Sequence, residues 1–302
     1  LTVTKHTELS SNLSVLKNTR LKGVLDVEKE VTMGSNLSVA NDTKLEGTLT
    51  VTEHTELTSN LSVLKNTRLI GVLDVEKEVT MGSNLSVAKD TKLEGTLTVT
   101  EHTELSSNLS VLKNTRLIGV LDVEKEVTMG SNLSVAKDTK LEGTLTVTEH
   151  TELSSNLSVL KNTRLIGVLD VEKEVTMGSN LSVAKDTKLE GTLTVTEHTE
   201  LSSNLSVLKD TRLKGVLDVE KEVTMGSNLS VAKNTKLEGT LTVTEHTELS
   251  SNLSVLKNTR LKGVLDVEKE VTMGSNLSVA KDTKLEGTLT VTEHTELSSN
   301  LS

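Results

Sequence analysis

The sequence predicts an all-β chain wound as a parallel β-solenoid, or β-helix, from six-residue strand units. Three observations lead there. Val3, Leu9, Val15, Leu21, Val27, Met33, Val39 and Leu45 are spaced by six, and each is preceded two residues earlier by Leu, Thr or Val. The residues between and around these positions are polar, so the apolar period is two, the strand signal, and no three-and-four helical spacing appears. The hexads are nested in dodecads, the dodecads in pairs and the pairs in 48-residue repeats, and self-similarity of this kind marks an array of stacked units.

The first such repeat divides into four dodecads, LTVTKHTELSSN, LSVLKNTRLKGV, LDVEKEVTMGSN and LSVANDTKLEGT. Each carries Leu at position 1, Val at 3, Thr or Val at 7, and Leu or Met at 9. In the first dodecad Leu1 and Val3 face inward, and Thr2 and Thr4 face outward. Lys5 and His6 then make a corner before Thr7 and Leu9 turn in again. Positions rich in Thr and Val favour strands. Corners are marked by Lys17-Asn18, Lys29-Glu30 and Lys89-Asp90 on one side, and by Ser11-Asn12, Gly23-Val24, Ser35-Asn36 and Gly47-Thr48 on the other. Gly and Asn tolerate positive φ, while Ser, Asn and Asp bond to nearby backbone. Strands of about four residues with two-residue turns are expected.

The 48-residue repeats start at 1, 49, 97, 145, 193 and 241, with a partial copy from 289. They form one continuous array over residues 1–302 with no separate globular domain, and the array reads as an excerpt of a longer fibre. Copies differ at few places: Lys5 is Glu53, Ser10 is Thr58, Asn18 is Asp210, Lys22 is Ile70, Asn41 is Lys89 and Asp42 is Asn234. None of these lies in an apolar column.

Units with one apolar face must stack on copies of themselves to bury it. Three windings fit. A 12-residue coil puts Glu8 beside Arg20, an opposite-charge neighbour. Three intertwined chains, each giving one hexad per layer, alternate three Leu with three Thr at the axis. An 18-residue triangular coil puts Glu8 beside Asp26 and Leu1 over Thr19. That places like charges together and leaves the 12-residue period without an evident reason. The first two are therefore preferred and the third is ranked behind them.

Strings such as LTVTEHTELSSNLSVLKNTRLIG, residues 97–119, resemble the LTV…TxL…G repeats in the shafts of phage and giant-virus tail fibres and related surface fibres. The resemblance covers the whole chain. It implies a shaft, often homotrimeric, with tip or chaperone domains elsewhere.

Composition narrows the chemistry. The chain has no Pro, Cys, Trp, Tyr or Phe and a net charge of −10. A core without aromatics must be thin and built from Leu, Val, Met and Thr. The mixed, acidic charge argues against nucleic acid, and no apolar run is long enough to insert in a membrane. No nucleophile, phosphate-loop or metalloprotease motif occurs, so no enzyme, catalytic residue or cofactor is expected. The seven histidines, His6, His54, His102, His150, His198, His246 and His294, recur at one position of the 48-residue repeat. They are too widely spaced to share a metal within a chain. Asp26-Val27-Glu28-Lys29-Glu30 reads as a charged outer face, and the Thr2-Val3-Thr4 pattern occurs once per four dodecads, too rarely for an ice-binding array.

The pentapeptide SNLSV carries an N-x-[ST] sequon at Asn12, Asn36, Asn60, Asn84, Asn108, Asn132, Asn156, Asn180, Asn204, Asn228, Asn252 and Asn276. Each is a candidate glycosylation site as well as a turn residue, and Asn41-Asp42-Thr43 is a further sequon. The expected function is a structural fibre or shaft, extracellular or on a virion surface, acting as a stiff spacer or filament and self-associating as a homotrimer or filament. The alternative is an adhesin stalk whose lateral faces bind glycans or another fibre protein.

Overall fold

A computed structural model describes residues 1–302. The chain forms two compact units, Leu1–Ser154 and Ser155–Ser302. Both are parallel β-solenoids without helices. Each hexad is one strand and one corner. The first six strands are β1 (Thr2–Val3), β2 (Thr7–Leu9), β3 (Leu13–Val15), β4 (Thr19–Leu21), β5 (Leu25–Val27) and β6 (Val31–Met33). From β2 onward the strands are one residue shorter than expected. The fourth residue of the hexad already bends and lengthens the corner by one.

The winding is the 18-residue triangular coil. β1 pairs in parallel with β4, β2 with β5 and β3 with β6, so Thr2 lies beside Arg20, Thr7 beside Leu25 and Leu13 beside Val31. The same three-hexad offset holds in the second unit, where Thr163 pairs with Leu181 and Leu181 with Thr199. Three hexads make one coil, and one chain supplies all three sheets. The coil ranked last on sequence is thus the one adopted, and neither the 12-residue coil nor the intertwined trimer describes the register. Glu8 does lie beside Asp26, and Leu25 lies between Thr7 and Thr43.

The packing shows why those features do not disfavour the fold. Three is odd, so every L-x-V hexad stacks on a T-x-L or V-x-M hexad and the reverse. Leu alternates with Thr or Val in one inward column, and Val alternates with Leu or Met in the other. Large side chains interdigitate with smaller ones while the volume per strand stays nearly constant, the condition for dense packing. The 12-residue period is therefore the alternation that an 18-residue coil requires. Leu25, Val27, Val31 and Met33 are fully buried. The Glu8–Asp26 repulsion is solvent-screened, and Lys44 follows in the same column.

Corners follow the same alternation. Position 5 of the hexad carries Lys, Asn or Glu in one coil and Gly or Ser in the next. No residue, glycine included, has positive φ. The glycines serve close approach instead: a Cβ on Gly95 would strike the Lys77 carbonyl, and one on Gly71 that of Glu53.

Candidate functional site

Where position 6 of a hexad carries Asn, Asp or His, its side chain builds a ladder along the corner. The Oδ1 of Asn or Asp, or the Nδ1 of His, accepts the backbone N–H of the position-6 residue in the next coil. Asn18 Oδ1 accepts from Asn36 N–H at 3.4 Å and from the Ser35 hydroxyl at 2.5 Å. Asn36 Oδ1 accepts from His54 N–H at 3.0 Å, and His54 Nδ1 accepts from Val72 N–H at 3.4 Å. A second kind of ladder runs from Asp90 through Asn108 to Glu126. Asp90 accepts from the Ser107 hydroxyl at 2.6 Å and Asn108 N–H at 3.2 Å, and Asn108 accepts from Glu126 N–H at 3.1 Å. The bonds from Ser107 and Asn108 hold the Asp90 carboxyl below its ordinary range, the serine hydroxyl contributing most. Asp42 and Asp186 are lowered for the same reasons.

These ladders place the SNLSV asparagines. All twelve sit at corners. Asn36, Asn84, Asn132, Asn180, Asn228 and Asn276 each bond the N–H of a histidine in the next coil, as with His102 on Asn84 at 2.9 Å. Asn12, Asn60, Asn108, Asn156, Asn204 and Asn252 each bond a glutamate N–H, as with Glu78 on Asn60 at 3.1 Å. In each of these bonds the acceptor is Oδ1, an atom other than the amide nitrogen that would carry a sugar; in Asn204 and Asn228 that nitrogen itself donates to an aspartate of the preceding coil at 3.1 Å. The histidines come to successive faces of the coil, and no group of three His, Cys, Asp or Glu is gathered.

Beside the asparagine–histidine ladder runs the outward column of the following strand. There Arg116 pairs with Ser134 and Ser134 with Glu152. The two columns enclose an open groove of about 300 Å³ lined by Asn114, Arg116, Asn132, Ser134, His150 and Glu152. The second unit has its counterpart, about 310 Å³, lined by Asp210, Arg212, Asn228, Ser230, His246 and Glu248. The same pattern recurs in every 48-residue repeat. The first unit carries it on Arg20, Arg68 and Arg116, one per face, since these lie on β4, on Thr67–Leu69 and on Thr115–Leu117, which belong to three different sheets.

Charge pairing singles out the arginines. All the ion pairs involve lysines of T-K-L hexads, such as Lys92 with Glu94 at 3.6 Å and Lys284 with Asp266 at 3.6 Å. The arginines of the T-R-L hexads form none. In the strand ladder they lie between threonine and serine, as Arg68 does between Thr50 and Ser86. Sequence reasoning missed this grouping because neighbours in each column are three hexads apart along the chain. A three-hexad stride reads Asn18, Asn36, His54 and Arg20, Ser38, Glu56 directly, whereas the preferred two-hexad stride scatters them.

No family model matches the chain, and neither a curated protein nor a solved structure matches it. No helix is long and apolar enough to cross a membrane.

Proposed function

We propose that the chain is the shaft of a stiff fibre, extracellular or on a virion surface, of the kind seen in tail fibres. The observation that carries this reading is the regular 18-residue register. Within each unit no insertion or irregular loop interrupts the coils. Backbone ladders run along the coil axis, where they resist extension, and the number of 48-residue repeats sets the reach. Adding two such repeats to the chain and measuring particles by negative-stain electron microscopy tests this. The shaft reading expects rods that lengthen by ~25 Å at ~4.8 Å per coil. Globular particles of unchanged length overturn it.

A second reading is favoured by the groove: a stalk whose lateral faces bind a partner or glycan weakly at each repeat and tightly by multivalency. Self-association into a trimer or filament would add to either reading through whole coils packing side by side, since each chain closes its own core.

A further inference from the structure

We propose that the Arg–Ser–Glu/Asn–Asn–His groove of each repeat is a binding site for a carboxylated saccharide. The inference rests on the lateral-binding reading and names its ligand class; the spacer reading does not depend on it. Four observations carry it.

The first is the choice of arginine. T-R-L and T-K-L hexads are equivalent in the fold, both pointing their middle residue outward, yet the six T-R-L copies all carry arginine where the six T-K-L copies all carry lysine. A guanidinium presents a planar fork that matches a carboxylate, and an ammonium does not.

The second is that the fork is free. The chain has 43 acidic residues against 33 basic ones, yet the neighbours of each arginine in its strand ladder are hydroxyl residues. The lysines, by contrast, find Asp or Glu.

Third, the rest of the groove limits the ligand to one anionic group. Glu56 lies two coils beyond Arg20, ~9.6 Å away along the axis, and repels a second anion there. Between them stand the Ser38 hydroxyl, the amides of Asn18 and Asn36, and the backbone-anchored His54. A carboxylate at the arginine end, followed by neutral hydroxyls donating to Glu56 and accepting from the amides, satisfies every group. A polyphosphate or nucleic acid does not. With no aromatic ring to stack on a sugar, each site is weak, and affinity comes from the several copies.

The fourth is a natural exception. Asp210 stands where the other copies have asparagine. Its carboxylate takes the Asn228 amide nitrogen at 3.1 Å and faces Arg212, whose charge adds to the lowering of its pKa by Ser227 and Asn228. This copy supplies its own internal anion, so its groove binds the saccharide less well than the other five.

Surface plasmon resonance of the full chain over immobilised polymers displaying glucuronic acid, or glucose as the neutral control, tests the proposal. The uronate polymer is expected to bind at least tenfold more tightly than the glucose polymer. Replacing all six groove arginines by lysine, which the T-K-L hexads show the fold accepts, is expected to weaken uronate binding at least tenfold. Replacing Asn18, Asn66, Asn114, Asn162 and Asn258 by aspartate, as the chain does at Asp210, is expected to do the same, and D210N to tighten binding. Circular dichroism on each variant verifies that the coils remain. No uronate binding, or arginine-to-lysine chains that bind uronate as well as the parent, overturns the proposal. Equal binding of both polymers overturns the carboxylate class alone and leaves lateral glycan binding standing.

Discussion

At the scale of the residue, the fold turns on small differences at equivalent positions. The inward threonines of T-R-L hexads donate to a methionine sulfur close by in the core, as Thr67 does to Met81 at 3.2 Å. Those of T-E-L and T-K-L hexads, Thr91 among them, bury a hydroxyl without a partner. A buried unpartnered hydroxyl costs roughly 1–3 kcal/mol, and an apolar side chain of the same shape avoids it. Thr91→Val should therefore stabilise the chain by ~1 kcal/mol in chemical denaturation, whereas Thr67→Val should not, since it gives up the sulfur contact. Val31 already occupies the equivalent position of its hexad fully buried. Gly95→Ala acts the other way. Its methyl would fall on the Lys77 carbonyl, and forced overpacking costs about 1–3 kcal/mol. The exchange of Asn18 for Asp210 and of Asp42 for Asn234 is explained by the ladder, because both side chains offer the same Oδ1 to the next coil. For stability the exchange matters only in acid. The carboxyls of Asp42, Asp90, Asp186, Asp210 and Asp282 are lowered when folded. Their contribution is therefore complete above the unfolded value of ~3.9 and is lost as pH falls through the folded value. A chain with these five changed to asparagine should hold its melting temperature further into acid than the parent, and equal acid sensitivity of the two would contradict the ladder's role.

At the scale of the element, the unit is the hexad and its parity. Each strand meets a hexad of the other kind above and below because a coil holds an odd number of them. Deleting two hexads, residues 73–84, preserves that alternation at the new junction. Deleting one, residues 79–84, stacks like on like across three strand pairs: Leu on Leu with long corner residues on long ones in two of them, and Thr on Thr with Gly on Gly in the third. Thermal melts should show the twelve-residue deletion close to the parent and the six-residue deletion clearly lower. Strand type, the inward columns and the corner positions were all legible in the sequence, because apolar alternation and Ser, Gly and Asn punctuation are local signals. The winding was less so. Glu8 beside Arg20 is attractive on paper, but an exposed pair of charges is worth at most about 1 kcal/mol. Complementary packing in a column that runs from coil to coil outweighs it. Reading Leu over Thr as a mismatch mistook that complementarity for a defect. The glycines were also placed correctly at corners but for another reason: close approach of stacked backbones, with φ negative throughout.

At the scale of the whole molecule, the mismatch between repeat length and coil length governs what is displayed. A 48-residue repeat is eight hexads and so covers two and two-thirds coils, and each copy of a feature appears on a different face from the last. His54 and His102 follow the strands Leu49–Val51 and Leu97–Val99, which belong to different sheets. Within the first unit each of the three faces carries one arginine groove. A chain built this way has no privileged side, which suits a spacer and also suits a stalk that meets partners from any direction. The groove was illegible in the sequence because its parts come together only once the coil length is known. Register, core packing and groove all depend on that length. The most direct test is the axial rise per 48-residue repeat, read by fibre diffraction or cryo-electron microscopy. An 18-residue coil gives a rise of about 13 Å at ~4.8 Å per layer, whereas about 19 Å for a 12-residue coil or about 38 Å for three intertwined chains would contradict the account.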